Sequence, residues 1–342
     1  MTDLHLVQSG FLLPILDGVK KSGGNIKKIK RLSGLDKFTI ESTENYIPVN
    51  TLYSFFHQLK AIEGLTNPHL EFQDDIQLSS LSDWGEMVTF APDLISAIKY
   101  AIKFQGIALT NERLSVVISG AKTSFNQKFT DIFHEGKTEV DYVNLMIILS
   151  GFRFALGDSW DPLEVHIQSR QELDLSGVLQ YGSKTIVKYG QNSTSVVFPT
   201  ELLSASMNNA HDLRPLEAPS SFASKIEELI ESSSYKPNIQ SIALMSDLTL
   251  RTFQRQLAGE DSSFSKILDN WRFKKAIGLL SNNQLRIKEI SERLYYGDTS
   301  NFERALSSAA PGGLDHHCRV TQYCDVGCYL AVLRSIQIRL RP

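Results

Sequence analysis

Cysteine is almost missing from this chain: there are three in 342 residues, and all lie after residue 317. No disulfide framework can therefore hold the bulk of the molecule, and no paired Cys-x-x-Cys is present to bind zinc. No run approaches the ~20 apolar residues that a membrane span requires. The opening Met1-Thr2-Asp3-Leu4-His5 has no basic start of a secretory signal, and Pro14 and Asp17 break the apolar run around Phe11-Leu12-Leu13, so the expected location is the cytoplasm. Positive charge is not in excess either. The net charge is -3 and the pI about 6.3, so any nucleic-acid-facing potential must come from where the cations stand rather than from their number. Finally, no metal pair, nucleophile elbow, phosphate loop or glycine-rich fingerprint surrounds His134-Glu135, Asp158-Ser159 or His166. The chain is not expected to be an enzyme, and no catalytic residue, cofactor or metal is assigned.

What is present is enough apolar residue, 42% of the chain, for two domains with a core each. The most informative stretch runs from Thr249 to Leu257. Phe253 and Leu257 stand one helical turn apart and face a core. Arg251 and Arg255 fall about 160–200° around the helix from Phe253 and point outward together, with Gln254 beside them. Thr249 is placed to cap the helix and aim its N-terminal end at phosphate, with Thr252 in the first turn. Upstream, Ile239, Ile242 and Ala243 keep helical spacing, and Ser246-Asp247-Leu248 supplies a short turn in which Asp247 tolerates a left-handed backbone. This is a helix-turn-helix signature.

The pattern then recurs. Phe302-Glu303-Arg304-Ala305-Leu306 repeats Phe253-Gln254-Arg255-Gln256-Leu257 as Phe-x-Arg-x-Leu, following a helical segment from Ile287 to Leu294 and a turn at Tyr295-Tyr296-Gly297. Asp298 is the expected N-cap of the second reading helix, with Thr299, Ser300 and Asn301 at its start and Arg304 one turn on. Between the motifs, Phe264, Ile267, Leu268, Trp271, Ile277 and Leu280 mark a connecting helix. Lys274 and Lys275 are further candidate cations. Arg251 and Arg255 suit guanine O6 and N7, and Gln254 suits adenine. The competing reading of Arg304 is a surface ion pair with Glu303 or Glu292.

With these residues in view, the chain resembles the AraC/XylS family of bacterial transcription regulators. The resemblance is carried by Ile242-Ala243, Thr249 to Leu257, Ser263-Phe264, Trp271-Arg272, Leu279-Leu280 and Ile287 to Ala305. It implies two recognition helices entering neighbouring major grooves about one helical turn, ~34 Å, apart. Double-stranded operator DNA is the implied partner, RNA polymerase a candidate protein partner, and a homodimer a candidate assembly.

The first part of the chain reads as α+β. Helices are expected over Val7–Val19 and Leu52–Ile62, the second capped by Asn50 or Thr51, and another is expected to open at Pro92-Asp93. Strands are expected over 114–118 and 125–133, a buried helix over 140–149, a strand through Leu163, Val165 and Ile167, and a hairpin joining 185–189 to 194–198. Blocks of helix and strand favour an α+β domain over a doubly wound sheet. Ile47-Pro48-Val49, Phe90 to Leu94, Tyr181-Gly182 and Val197-Phe198-Pro199 are similar to the arabinose-binding-type sensing domain of one branch of the family. That similarity implies a small-molecule effector whose identity and contact residues it leaves open. The expected order is an effector-sensing and dimerisation domain over 1–210, a polar linker over 211–221, an all-α DNA-binding domain with two helix-turn-helix motifs over 222–306, and a divergent tail over 307–342.

In that tail Pro311 cannot sit inside a helix, and the family's closing helix is replaced by Ser307-Ser308-Ala309-Ala310-Pro311-Gly312-Gly313. His316, His317, Cys318, Cys324 and Cys328 are zinc-ligand types without zinc-site spacing. A natural extension and a shifted reading frame near codon 306 are the other readings. The alternative function is accordingly a sensor or dimerisation protein whose DNA binding is impaired by the altered terminus.

Overall fold

The computed structural model describes residues 3–40, 42–59, 76–130, 135–172, 174–180, 182–207, 218–281 and 285–308. The tail's cysteines and histidines, His134 and most of the expected linker lie outside the described residues. Contacts divide the chain into two units, Met1–Tyr235 with Ile242–Leu248, and Lys236–Ser241 with Thr249–Pro342.

The first unit begins with β1 (Leu6–Gln8), followed by a 3-10 turn and then α1 (Leu13–Lys21). The single helix expected from Val7 is thus a strand and a later helix. Pro14 explains the start, because it sits in the first turn of α1, where its missing N–H costs nothing. Next come α2 (Ile26–Ser33), β2 (Tyr46–Pro48), which pairs antiparallel with β1, and α3 (Val49–Leu59). Helix α3 starts directly from the strand, so Asn50 and Thr51 lie inside it rather than capping it. Three helices follow in close order: α4 (Leu78–Leu81), α5 (Asp83–Thr89) and α6 (Leu94–Lys103). The Asp93 carboxylate accepts the Ser96 N–H at 2.8 Å and caps α6. A short turn, α7 (Gln105–Ala108), leads into the sheet.

Strands β3 (Glu112–Ser119) and β4 (Lys122–Phe129) form the expected hairpin, with Gly120 at φ 60° in its two-residue turn. Helix α8 (Lys137–Leu156) is apolar on nearly every side and mostly buried. Gly157, at φ 94°, ends it in a conformation that favours glycine. Strands β5 (Glu164–His166), β6 (Ile186–Lys188) and β7 (Thr194–Pro199) complete a five-stranded sheet in the order β3-β4-β7-β5-β6.

Strands β6 and β7 are therefore not hairpin partners as expected; β5 lies between them, parallel to β6 and antiparallel to β7. The cause is burial. Thr194 to Phe198 are buried at every position, which requires a neighbour on both sides, whereas Ile186 and Lys188 are exposed and suit an edge. On the inner face, the Phe152 ring of α8 meets Phe198 at 4.9 Å and Phe125 at 6.1 Å, and stacks on Trp160 at 5.3 Å. Clustered rings of this kind each bury large apolar areas and fix the helix on the sheet.

Helix α9 (Phe222–Ser232) is closed by a reciprocal cap between Ser221 and Ser224. It was expected to open the DNA-binding region, yet its hydrogen bonds run into the first unit. Ser232 Oγ accepts the Tyr46 N–H at 2.9 Å, the Ser232 carbonyl accepts the Thr39 N–H at 2.7 Å, and Lys225 Nζ donates to the Leu4 carbonyl at 2.9 Å.

The described part of the second unit is helical. Along the chain come α10 (Ile239–Met245), whose end is grouped with the first unit, α11 (Leu250–Ala258), α12 (Phe264–Ser281), α13 (Ile287–Arg293) and α14 (Thr299–Ser308). The core of the second unit includes Phe253, Leu257, Phe264, Ile267, Trp271, Leu280, Ile290, Leu294 and Phe302. Phe253 and Phe264 hold α11 against α12, their ring centres 6.3 Å apart.

Candidate nucleic-acid interface

Helices α10 and α13 end in the same way. After α10, the Asp247 N–H bonds to the Leu244 carbonyl and the Leu248 N–H to the Ala243 carbonyl, with Asp247 left-handed at φ 54°. After α13, the Tyr295 N–H bonds to Glu292 and the Tyr296 N–H to Ser291, with Tyr295 at φ 59°. Both are Schellman stops. The left-handed place in the second turn is filled by Tyr295 and not by Gly297, because the hydrogen-bond pattern counts from the helix end.

Each following helix is capped by its own side chain. Thr249 Oγ1 accepts the Thr252 N–H at 3.3 Å and lies 3.0 Å from the Thr252 hydroxyl. The Asp298 carboxylate accepts the Asn301 N–H and the Asn301 Nδ2 amide, both at 2.7 Å. These caps fix where each helix begins and leave its remaining first-turn N–H groups pointing outward.

On α11, Arg251, Gln254 and Arg255 are exposed, and none has a hydrogen-bond or ion-pair partner among the described residues. Phe253 and Leu257 of the same helix are 0% and 1% exposed, so the two arginines stand opposite a fully buried stripe. On α14, Ser300, Asn301 and Arg304 are exposed and Thr299 half-buried. Arg304 is engaged within its own helix, donating to Asn301 Oδ1 and to the Ser300 carbonyl. Asn301 therefore joins the Asp298 cap to Arg304 in one hydrogen-bonded row. Lys274 and Lys275 are exposed on α12.

One residue organises the second turn and carried no role in the sequence reading beyond its place in the family resemblance. Arg272, on α12, donates from Nε to the Leu294 carbonyl at 3.0 Å and from Nη2 to the Tyr295 carbonyl at 3.3 Å. Its Cζ lies 4.6 Å from the centre of the Tyr296 ring, which in turn packs 5.4 Å from Phe302 of α14. Burial raises the Tyr296 phenol above its ordinary range, while the Arg272 guanidinium pulls it down. No local signal marks it out, because Lys274 and Lys275 stand two and three residues further along the same helix.

His166 lies 3.2 Å from Glu164 on β5, and Lys122 and Lys188 also donate to that carboxylate. Their hydrogen bonds hold Glu164 well below the usual carboxylate range, at about 2.

No protein-family model matches the chain. Over 79 residues it is 35% identical to uncharacterized HTH-type transcriptional regulators of Mycobacterium bovis and Mycobacterium tuberculosis, a match covering 23% of this chain and 23% of each relative. Over 70 residues it is 33% identical to the HTH-type transcriptional regulator VqsM of Pseudomonas aeruginosa, covering 20% of this chain and 22% of that one. The weak relatives are transcriptional regulators by name, and the chain spans less than a quarter of their length. Among solved structures, the transcriptional regulator CdpR from Pseudomonas aeruginosa aligns with a TM-score of 0.44 and 18% identity, over 88% of this chain and 95% of that one. Among the described residues, no helix is long and apolar enough to cross a membrane.

Proposed function

We propose that the chain is a ligand-responsive, sequence-specific DNA-binding transcription regulator of the AraC/XylS type, in which α10–α11 and α13–α14 are two helix-turn-helix motifs. The observation that carries this reading is the state of Arg251 and Arg255: two guanidinium groups one turn apart, exposed, with no partner among the described residues, on a helix whose other face is buried. Unpartnered arginines so placed are held ready for an outside acceptor. Guanine O6 and N7 in a major groove take a guanidinium in two parallel hydrogen bonds. Repetition of the Schellman stop and the capped start at α13–α14 supports a second, similar contact. There Arg304, held by Asn301, is pre-oriented, and Thr299 and Ser300 stand where a phosphate would meet the helix start.

A gel mobility shift with the chain's own upstream DNA tests this reading. Arg251→Ala and Arg255→Ala are each expected to weaken binding by about 5–150-fold, corresponding to ~1–3 kcal/mol for a bidentate base contact. Retention of full affinity and sequence preference by the double variant would remove the basis of the proposal. Failure of the unaltered chain to bind its upstream DNA would favour the alternative, a sensor with impaired DNA binding.

A further inference from the structure

The first unit holds a cavity of about 270 Å³ beside α8. That is just below the ~300–1,000 Å³ usual for sites of drug-sized ligands, so a small metabolite suits it. Ile76, Met146 and Val178 line it and are 2%, 6% and 3% exposed, while Phe154 presents an apolar ring that is 41% exposed. Two charged residues share the lining, Arg153 and Asp158.

Arg153 is fixed in place. Its Nε donates to the Trp160 carbonyl at 3.0 Å, and its Nη2 donates to Asp161 at 2.8 Å and to the Val178 carbonyl at 2.7 Å. Its side chain is 18% exposed. Among the described residues, Nη1 has no hydrogen-bond partner. Nη1 is reached by solvent, so its two N–H groups are open to donate to an acceptor that enters the cavity. Asp158 is exposed; its backbone carbonyl accepts from Gln180 at 3.0 Å, but its carboxylate has no ion-pair partner among the described residues.

The two charges ask for different things. A ligand with only a carboxylate would satisfy Nη1 and meet Asp158 unfavourably, since Asp161 already balances the charge of Arg153. A ligand with only an amine would answer Asp158 and leave Nη1 unpaired. A molecule with both groups answers both, and the exposed Phe154 ring gives an apolar remainder a surface to lie on. Resting on the reading of the chain as ligand-responsive, we propose that this cavity is the effector site and that it takes a small zwitterion, an α-amino acid with an apolar side chain. Its carboxylate accepts from Arg153 Nη1, its ammonium faces Asp158, and its side chain lies against Met146, Val178 and Phe154.

Titration calorimetry on the full chain, with no DNA present, tests this using L-leucine, L-methionine and L-phenylalanine. 4-Methylpentanoate and 3-methylbutylamine serve as the two halves of leucine. At least one amino acid is expected to bind, and the two halves to bind at least about tenfold more weakly, as loss of a charged hydrogen bond implies. Asp158→Asn is expected to weaken the amino acid by about tenfold or more and to narrow its advantage over 4-methylpentanoate. Arg153→Lys is expected to abolish binding. Because Arg153 also ties down neighbouring backbone, the exposed Asp158 is the decisive position, and circular dichroism establishes that each variant is folded. Absence of binding by all three amino acids overturns the proposal. So does equal binding by either half of leucine, or unchanged affinity in Asp158→Asn. The gel shift on unliganded protein is independent of these outcomes, so a failed ligand and a failed DNA reading are told apart.

Discussion

Replacement of Arg272 by methionine keeps most of the aliphatic length and removes the charge and every donor. The interactions lost are two hydrogen bonds, at 3.0 and 3.3 Å, to the carbonyls of Leu294 and Tyr295, and the guanidinium over the Tyr296 ring at 4.6 Å. The contact to Asp269 at 3.7 Å, on a carboxylate that is 69% exposed, adds little. A hydrogen bond with a charged partner is worth about 1.5–3 kcal/mol, and an exposed cation–π contact about 0.5–1 kcal/mol. The longer of the two hydrogen bonds belongs at the bottom of its range, and the three interactions share one group and do not add fully. An overall cost of about 2–4 kcal/mol follows.

That loss falls on the turn that sets the direction of α14, so it should appear twice in experiments. In urea unfolding followed by tryptophan fluorescence, the transition reporting on Trp271 should move to lower denaturant. In the gel shift, Arg272→Met should weaken DNA binding although Arg272 itself is not assigned a base or phosphate contact. Arg272→Lys, a point charge without the planar fork, should recover little. An Arg272→Met protein with both unfolding midpoint and DNA affinity unchanged would refute the reasoning, because the turn would then hold its geometry without the clamp.

Two further perturbations follow from the same structure. Glu112 is buried and accepts from Gln127 Nε2 at 2.7 Å; burial lifts its carboxyl to about 7, against the hydrogen bond, which acts the other way. Between its unfolded value of 4.5 and about 7 the folded state holds the extra proton, so stability falls as pH rises through that window, with a slope approaching ~1.4 kcal/mol per pH unit. Glu112→Gln should therefore flatten the profile and be more stable than the unaltered chain at pH 8 but not at pH 4, as read by denaturant midpoints; equal profiles would show that the carboxyl is not held neutral. At Tyr295, φ 59° places an aromatic residue in the left-handed region, at a cost of roughly 1–2 kcal/mol. Tyr295→Gly should recover part of that cost and raise the second unit's unfolding midpoint; an unchanged or lower midpoint would show that the ring's packing, not the backbone, sets this turn.

Local signals in the sequence were sufficient for much of this molecule. Asp93, Thr249 and Asp298 each carry a side-chain oxygen that reaches an N–H within three residues, so their capping roles follow from neighbours along the chain. The alternation in β4 and the two-residue turn after β3 are local in the same sense. So is the opposition of Arg251 and Arg255 to Phe253, which needs only the period of a helix. The strand order was not legible. That β5 inserts between β6 and β7 depends on which strand can bury both faces, a comparison among segments some 30 residues apart in the chain. The attachment of α9 to Tyr46, Thr39 and Leu4 was hidden for the same reason, since Ser221 and Ser224 announce where the helix starts and say nothing of what it packs against.

Arg272 belongs to this second kind. Seen alone it is one cation on a long helix, indistinguishable from Lys274 or Lys275, and its neighbours in sequence do not reveal that two carbonyls some 22 residues further on are left over at a helix end. Those carbonyls exist because a Schellman stop satisfies only part of a helix terminus. Helix α12 therefore does more than join α11 to α13. Through Phe264 it holds the ring of Phe253, and through Arg272 it holds the turn before α14. One helix thus sets the start of α14 and the seat of α11, and a substitution on α12 that leaves Arg251, Arg255 and Arg304 in place is expected to affect both.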